Sequence, residues 1–337
     1  MSSPRSEQHG QPGITRAKYF LVLFSALVLI LLFSILSIIG KGLRSIISDV
    51  RDNYVLVAEA AALIFLGELI KSQRFVVAAR AKGVRLSRAT AVEAHFSGLF
   101  IGMLTPAFSG AAPTVSSIIG SKEGLDPMGA LSIALSAAFM DSAIPALAAI
   151  VIIITTSHWN VLVLLISIIV IMLWAVALGS PLAQALNSSI SREHVRQAIK
   201  VIVDQAATLQ SSLKSILSSR RSSGLMVALT VASYLVETMS VVAVLRAWGF
   251  PGVVFQGFEA LMLSYVGGNF PTPGGEFGVE YSMLTILSGP AVVLWRVAYV
   301  IVAMAPAVII GKVISSYIDY GTFVYNYYKG LLASHRP

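Results

Sequence analysis

Six apolar runs, at residues 19–39, 54–70, 128–154, 161–179, 225–248 and 291–314, constrain this chain more than any other feature. A helix rises 1.5 Å per residue, so about 20 apolar residues cover the roughly 30 Å of bilayer hydrocarbon. Runs of that length recurring through the chain leave little for a soluble core. Only 12% of the residues are charged, against roughly 25% in soluble domains. The expected fold is an all-α integral membrane protein with six full spans. The first run is longer than a signal-peptide core and lacks a small-x-small site before Lys41, so it reads as a retained anchor.

The net charge of +8 does not point to nucleic acid, because the basic residues sit in short segments beside the apolar runs, as cytoplasmic loops do. Arg16 and Lys18 place the N-terminus inside. Residues 71–88 carry Lys71, Arg74, Arg80, Lys82, Arg85 and Arg88 with no acid and read as the strongest cytoplasmic marker. Residues 1–15 read as a disordered cytoplasmic tail, 16–325 as one transmembrane domain and 326–337 as a second cytoplasmic tail, which makes the chain a multi-pass protein of the cell membrane. Within residues 181–222, Val195, Ile199, Ile202, Ala206, Leu209, Leu213 and Ile216 form an apolar stripe at helical spacing. This amphipathic cytoplasmic linker is expected to lie on the inner leaflet or on the protein; a dimerising coiled coil is the alternative. With no cysteine, disulfides, thiolate metal sites and cysteine nucleophiles are excluded.

Two further segments are apolar but broken. Residues 93–120 contain Thr105-Pro106, Ser109-Gly110 and Pro113, and the segment that follows residues 249–256 contains Gly267-Gly268-Asn269 and Pro271-Thr272-Pro273-Gly274-Gly275-Glu276. Proline and glycine at that density do not suit one continuous helix, so each is expected to be a broken or re-entrant helical hairpin. The first follows an inward span and the second an outward one. Repeat one (about 54–154) and repeat two (about 224–314) are therefore expected to be inverted, an arrangement that places transport sites at the bilayer midplane. The alternative is that the hairpins only pack the fold.

Asp141 and Glu237 lie halfway along their spans, where a carboxylate costs at least ~2.5–3.5 kcal/mol and commonly marks a pathway. Helix packing is the alternative for each. Thr230, Ser233, Glu237 and Ser240 share one face of their helix. Asp141, Glu237, Ser233, Ser240, Glu280 and Arg296 are the expected lining of a substrate or proton path. The Gly274-Gly275 turn before a helix start favours an anion through free amides, although Glu276 competes for that place. Thr105, Pro106, Pro271, Thr272, Pro273, Gly274, Gly275 and Glu276 are the expected headgroup-binding turns. Arg246 and Lys312 read as snorkelling cations, His95 as a structural imidazole, and Glu68 as a solvated group near the inner surface. No nucleotide-binding, serine-nucleophile or zinc-protease motif is present, so an enzyme, a cofactor and a metal are not expected.

The stretch Phe270-Pro271-Thr272-Pro273-Gly274-Gly275-Glu276-Phe277-Gly278-Val279-Glu280 resembles the Pro-x-Pro-Gly-Gly-x-Gly-x-x-Glu element of the lysylphosphatidylglycerol synthetase transmembrane-region family, also called flippase-like domain proteins. Phe277 stands where that element has its third glycine, and Gly278 comes one residue late. Residues 102–114 are similar to the family's earlier Thr-Pro and glycine-rich element, without the arginine that often follows it. The resemblance covers roughly residues 15–325. It implies movement across the bilayer of a polar-headed lipid, an aminoacylated phospholipid or a polyprenyl-phosphate carrier, with Pro271, Pro273, Gly274, Gly275 and Glu280 as motif positions. Members that synthesise lysyl-lipid carry a separate soluble domain; this chain ends soon after its last span, so synthesis is not expected.

The expected function is a flippase for an anionic or amine-bearing polar-headed lipid, coupled to protons through a carboxylate such as Glu237. A secondary transporter of a small soluble solute and a non-catalytic membrane partner of a lipid-linked glycosyltransferase are the alternatives. Membrane lipids are the expected partners; a homo-oligomer and a lipid-modifying enzyme partner stay open.

Overall fold

The computed structural model describes residues 43–156, 160–179, 207–246 and 254–310. The expected tails, the first span, Lys312 and most of the amphipathic linker lie outside them. The described residues form helices α1 (Leu43–Asp52), α2 (Tyr54–Ala81), α3 (Arg88–Leu104), α4 (Ala111–Glu123), α5 (Pro127–Thr155), α6 (Val161–Gly179), α7 (Arg220–Leu245), α8 (Val254–Gly267), α9 (Glu276–Leu284) and α10 (Gly289–Ile310). Residues 207–218 are helical too, and the stripe residues Leu213 and Ile216 are buried against the protein.

Local chemistry sets several of the boundaries. Ser87 and Asp126 accept the amides of Thr90 and Gly129 at 3.0 and 2.8 Å and so cap α3 and α5, satisfying donors that a helix start leaves free. Pro127 follows in the first turn of α5, where no amide is missed. Pro145 lies inside α5 without ending it. Helices α5, α6 and α7 are each long and apolar enough to cross a membrane. One side of α6 exposes Leu165, Ile168, Ile169, Met172 and Leu173, a surface suited to lipid rather than water.

Helix α2 departs from expectation. Its apolar run ends at residue 70, but the helix continues to Ala81, so Lys71 and Arg74 do not lie in a cytoplasmic loop. Both are buried, at 3% and 0% exposure. Carboxylates on other helices neutralise them, and counting charges along a sequence does not reveal such partners.

Helix α2 packs most extensively on α7 and also on α3 and α10, while α8 packs on α5 and α7. Each broken segment is a pair of packed helices: α3 turns at residues 105–110 into α4, and α8 turns at residues 268–275 into α9. The tips of the two hairpins meet. Pro106 and Pro273 form an antiparallel bridge, flanked by Ala107 N–H donating to the Thr272 carbonyl (3.2 Å) and Gly274 N–H to the Thr105 carbonyl (3.0 Å). In this arrangement the bridging residues themselves exchange no hydrogen bond. Two prolines therefore fit opposite each other, because neither is asked for an amide proton.

Tight backbone approach explains two glycines of the second tip. Gly275 has φ of 62°, and a Cβ there would stand 2.0 Å from the Gly268 carbonyl oxygen. Gly278, the displaced glycine of the motif, fits against α8, where a Cβ would stand 2.1 Å from the Gly267 carbonyl oxygen. Phe277 instead points outward, 43% exposed, and stacks with Tyr281. The first tip contains no such glycine pair; Ala107 and Phe108 adopt φ of 50° and 55°, a left-handed conformation that side chains disfavour.

Candidate functional site

Helix α2 presents Glu68, Lys71 and Arg74 at successive intervals of three residues, so they share one face. The Lys71 ammonium donates to Glu68 Oε1 (3.0 Å), Glu237 Oε2 (2.9 Å) and the Tyr265 hydroxyl (2.6 Å). Three acceptors match its three protons. The ammonium also lies 4.5 Å from the ring centre of Tyr265 and 5.3 Å from that of Tyr234, within cation–π range. Tyr265 in turn donates its hydroxyl proton to Glu237. On the other side of Glu68, Oε2 lies 2.6 Å from His95 Nε2 of α3. An unbroken polar chain thus runs from hairpin one through α2 and α7 to hairpin two.

Arg74 grips Asp141 of α5 with both terminal nitrogens, each at 2.7 Å, and reaches Thr230 Oγ1 of α7 (3.1 Å) and the Lys71 carbonyl (3.0 Å). The burial of this pair is unequal, since the Arg74 side chain is fully covered while that of Asp141 is 37% exposed. Arg296 of α10 faces two carboxylates, Glu280 at 2.9 Å and Glu276 at 3.2 Å, with Tyr299 stacked beneath its guanidinium.

These groups surround a cavity of about 730 Å³. Glu68, Lys71, His95, Asp141, Asn269 and Arg296 form its polar wall; Ala107, Phe108 and Gly268 bring both hairpin tips to it. Phe75, Leu99, Val115, Leu135, Val170, Leu173 and Trp174 make much of the remainder apolar.

Several residues expected at the site are here. Asp141 and Arg296 line the cavity, and Glu280 and Glu276 stand behind Arg296. Glu276, in the first turn of α9, turns its carboxylate to Arg296. Glu237 is buried behind Lys71 rather than in the wall. Ser240 supports it, donating to the Glu237 carbonyl (2.5 Å) and accepting from the Trp295 indole (2.9 Å). Ser233 donates within its own helix to the Thr230 carbonyl. Thr105, Pro106, Thr272, Pro273 and Gly274 build the tip junction, with Pro271 exposed beside it. Arg246 pairs with Glu59 at an exposed position, 3.3 Å away.

Sequence reasoning missed Glu68, Lys71, Arg74, His95 and Tyr265 as members of the site. Glu68 is buried, not solvated, because Lys71 and His95 both partner it. One signal was available: residues 54–81 contain no proline and a single glycine, so nothing in them stops a helix at residue 70.

The model of the lysylphosphatidylglycerol synthase TM region family matches residues 20–307, most of the chain and every residue of the cavity wall. This chain belongs to that family. It is therefore a membrane protein. No curated protein and no solved structure matches the chain. Charged groups buried among membrane helices pair with one another, and here Lys71, Arg74 and Arg296 each face at least one carboxylate.

Proposed function

We propose that the chain is a flippase for polar-headed lipids, a transporter and not an enzyme, set in the cell membrane with both termini cytoplasmic. The observation that carries this reading is the amphipathic cavity where the two hairpin tips meet. Its volume suits a headgroup, and its apolar side accommodates the adjoining stretch of the tails while the rest of the lipid stays in the bilayer.

Two features support inverted repeats that flank the cavity, within a chain of six spans. Helix α2 leads to hairpin one and then α5, as α7 leads to hairpin two and then α10. The hairpin helices, at 17, 13, 14 and 9 residues, rise about 25, 20, 21 and 13 Å, each short of about 30 Å of hydrocarbon. Re-entrant hairpins from opposite leaflets, closed against one another by the Pro106–Pro273 bridge, then form the barrier between two alternately open half-cavities. The polar wall carries both charge signs, which suits a headgroup that is anionic or bears an amine.

Reconstitution into liposomes tests the assignment. Probe-labelled anionic phospholipid, aminoacyl-phospholipid and polyprenyl phosphate are supplied in turn, and a membrane-impermeant quencher reports which leaflet each occupies. At least one probe is expected to become fully accessible with protein and to stay half-protected without it. Uptake of small polar solutes with no lipid movement would instead support a soluble-solute transporter.

A further inference from the structure

Taking the flippase reading as its basis, the geometry points to His95 and Glu68 as a proton-binding pair through which lipid movement is tied to a pH difference across the membrane. Both residues line the cavity, with His95 Nε2 2.6 Å from Glu68 Oε2. Histidine is the side chain whose ordinary titration falls between pH 5 and 8.

Charge pairing singles this place out. Every group facing the pair is engaged: Lys71 with Glu68 and Glu237, Asp141 with Arg74, Arg296 with Glu276 and Glu280, and Glu93 with Lys122. Tyr265 and Tyr299, the remaining titratable neighbours in the wall, are engaged too, Tyr265 by Lys71 and Glu237 and Tyr299 beneath Arg296. Protonating Asp141 would leave Arg74 charged, wholly buried and without its carboxylate partner, the costly outcome for a buried pair. Around Lys71, two carboxylates share one ammonium, so with both of them ionised and the imidazole neutral the group carries one surplus negative charge. The Glu276–Arg296–Glu280 group also has a surplus, but its carboxylates are not in the cavity wall.

The step is a single proton transfer. A neutral His95 that donates its Nε2 proton to Glu68 keeps a lone pair on Nδ1. A hydronium ion gives up one proton to it, its O–H bond breaking as the Nδ1–H bond forms and leaving a water molecule, and the resulting imidazolium still donates to Glu68. The surplus negative charge is cancelled, and Lys71, no longer shared, passes toward Glu237 and Tyr265. Because His95 belongs to hairpin one and Tyr265 to hairpin two, proton binding alters what holds each hairpin to α2. Any ligand that favours one hairpin arrangement is then linked to the proton, reciprocally.

The test uses the full chain in lipid nanodiscs with nitrogen-15 histidine, His95→Gln serving to assign the His95 signal among the five histidines. The His95 ring is expected to gain a second N–H proton on acidification, and its nitrogen signals are expected to change in Glu68→Gln. In liposomes, the wild-type flip rate should change several-fold on the same acidification and that of His95→Gln should stay flat. An imidazole with unchanged protonation, or a His95→Gln protein that keeps the wild-type pH profile, overturns the inference. If no lipid probe moves with wild type, the flippase reading falls while the imidazole signal still decides the proton site.

Discussion

Replacing Asp141 with leucine is expected to destabilise the folded chain by about 3–5 kcal/mol, the usual consequence of stranding one member of a buried ion pair. The partner left behind is Arg74, which is fully covered and loses two 2.7 Å hydrogen bonds at once. The reverse substitution, Arg74→Leu, should cost less, about 1–3 kcal/mol, because Asp141 is 37% exposed on the cavity side and water there can solvate it. The doubly substituted Asp141→Leu/Arg74→Leu protein should recover most of the loss, since apolar replacement of a whole buried pair is commonly near neutral. Thermal unfolding of the four proteins in one detergent measures the cycle. Equal losses for the two single variants would mean that the cavity does not admit water to Asp141.

Removing the Lys71 ammonium should have an effect of similar size and a larger consequence for transport. Lys71→Met leaves Glu68 and Glu237, both at most 2% exposed, facing each other without a cation, at a cost of about 3–5 kcal/mol. Adding Glu237→Gln takes away one of those charges, and most of the stability should return. Flipping should not return, because the link from α2 to Tyr265 of hairpin two is gone. Lys71→Arg should also transport poorly: a planar guanidinium fork cannot point three donors at three acceptors that surround a single ammonium. Stability by thermal unfolding and flip rate in liposomes, measured on the same preparations, separate the two roles. Full transport by the Lys71→Met/Glu237→Gln protein would show that Lys71 only holds the helices together.

How much of this was legible in the sequence depended on whether the signal was local. Long apolar runs gave the helical membrane class, and proline–glycine interruptions located both hairpin turns, because backbone sterics act within a few residues. The polar face of α7 was visible from its spacing, and it lies against α2, with Thr230 on Arg74 and Glu237 on Lys71. The α2 charges were misread for the opposite reason. Lys71 and Arg74 follow an apolar run and look like a cytoplasmic flank; their partners lie 166 and 67 residues away, and no periodicity within α2 announces them. His95 likewise looks like a lone imidazole until the fold brings α3 to Glu68. The tip junction had only a faint trace, a Thr-Pro pair in each broken segment, and what joins them is backbone hydrogen bonding, which any side chain permits.

The junction is also where the account is most directly tested. The chain has no cysteine, so Pro106→Cys/Pro273→Cys supplies a single pair, at facing positions whose Cα atoms in an antiparallel bridge of this kind lie about 4.5 Å apart, within reach of a disulfide. In liposomes with a lipid probe, the reduced protein should flip, oxidation should stop it, and a reductant should restore it, because the tips must part for a headgroup to pass. Undiminished flipping by fully cross-linked protein would contradict a lipid path through the hairpin tips.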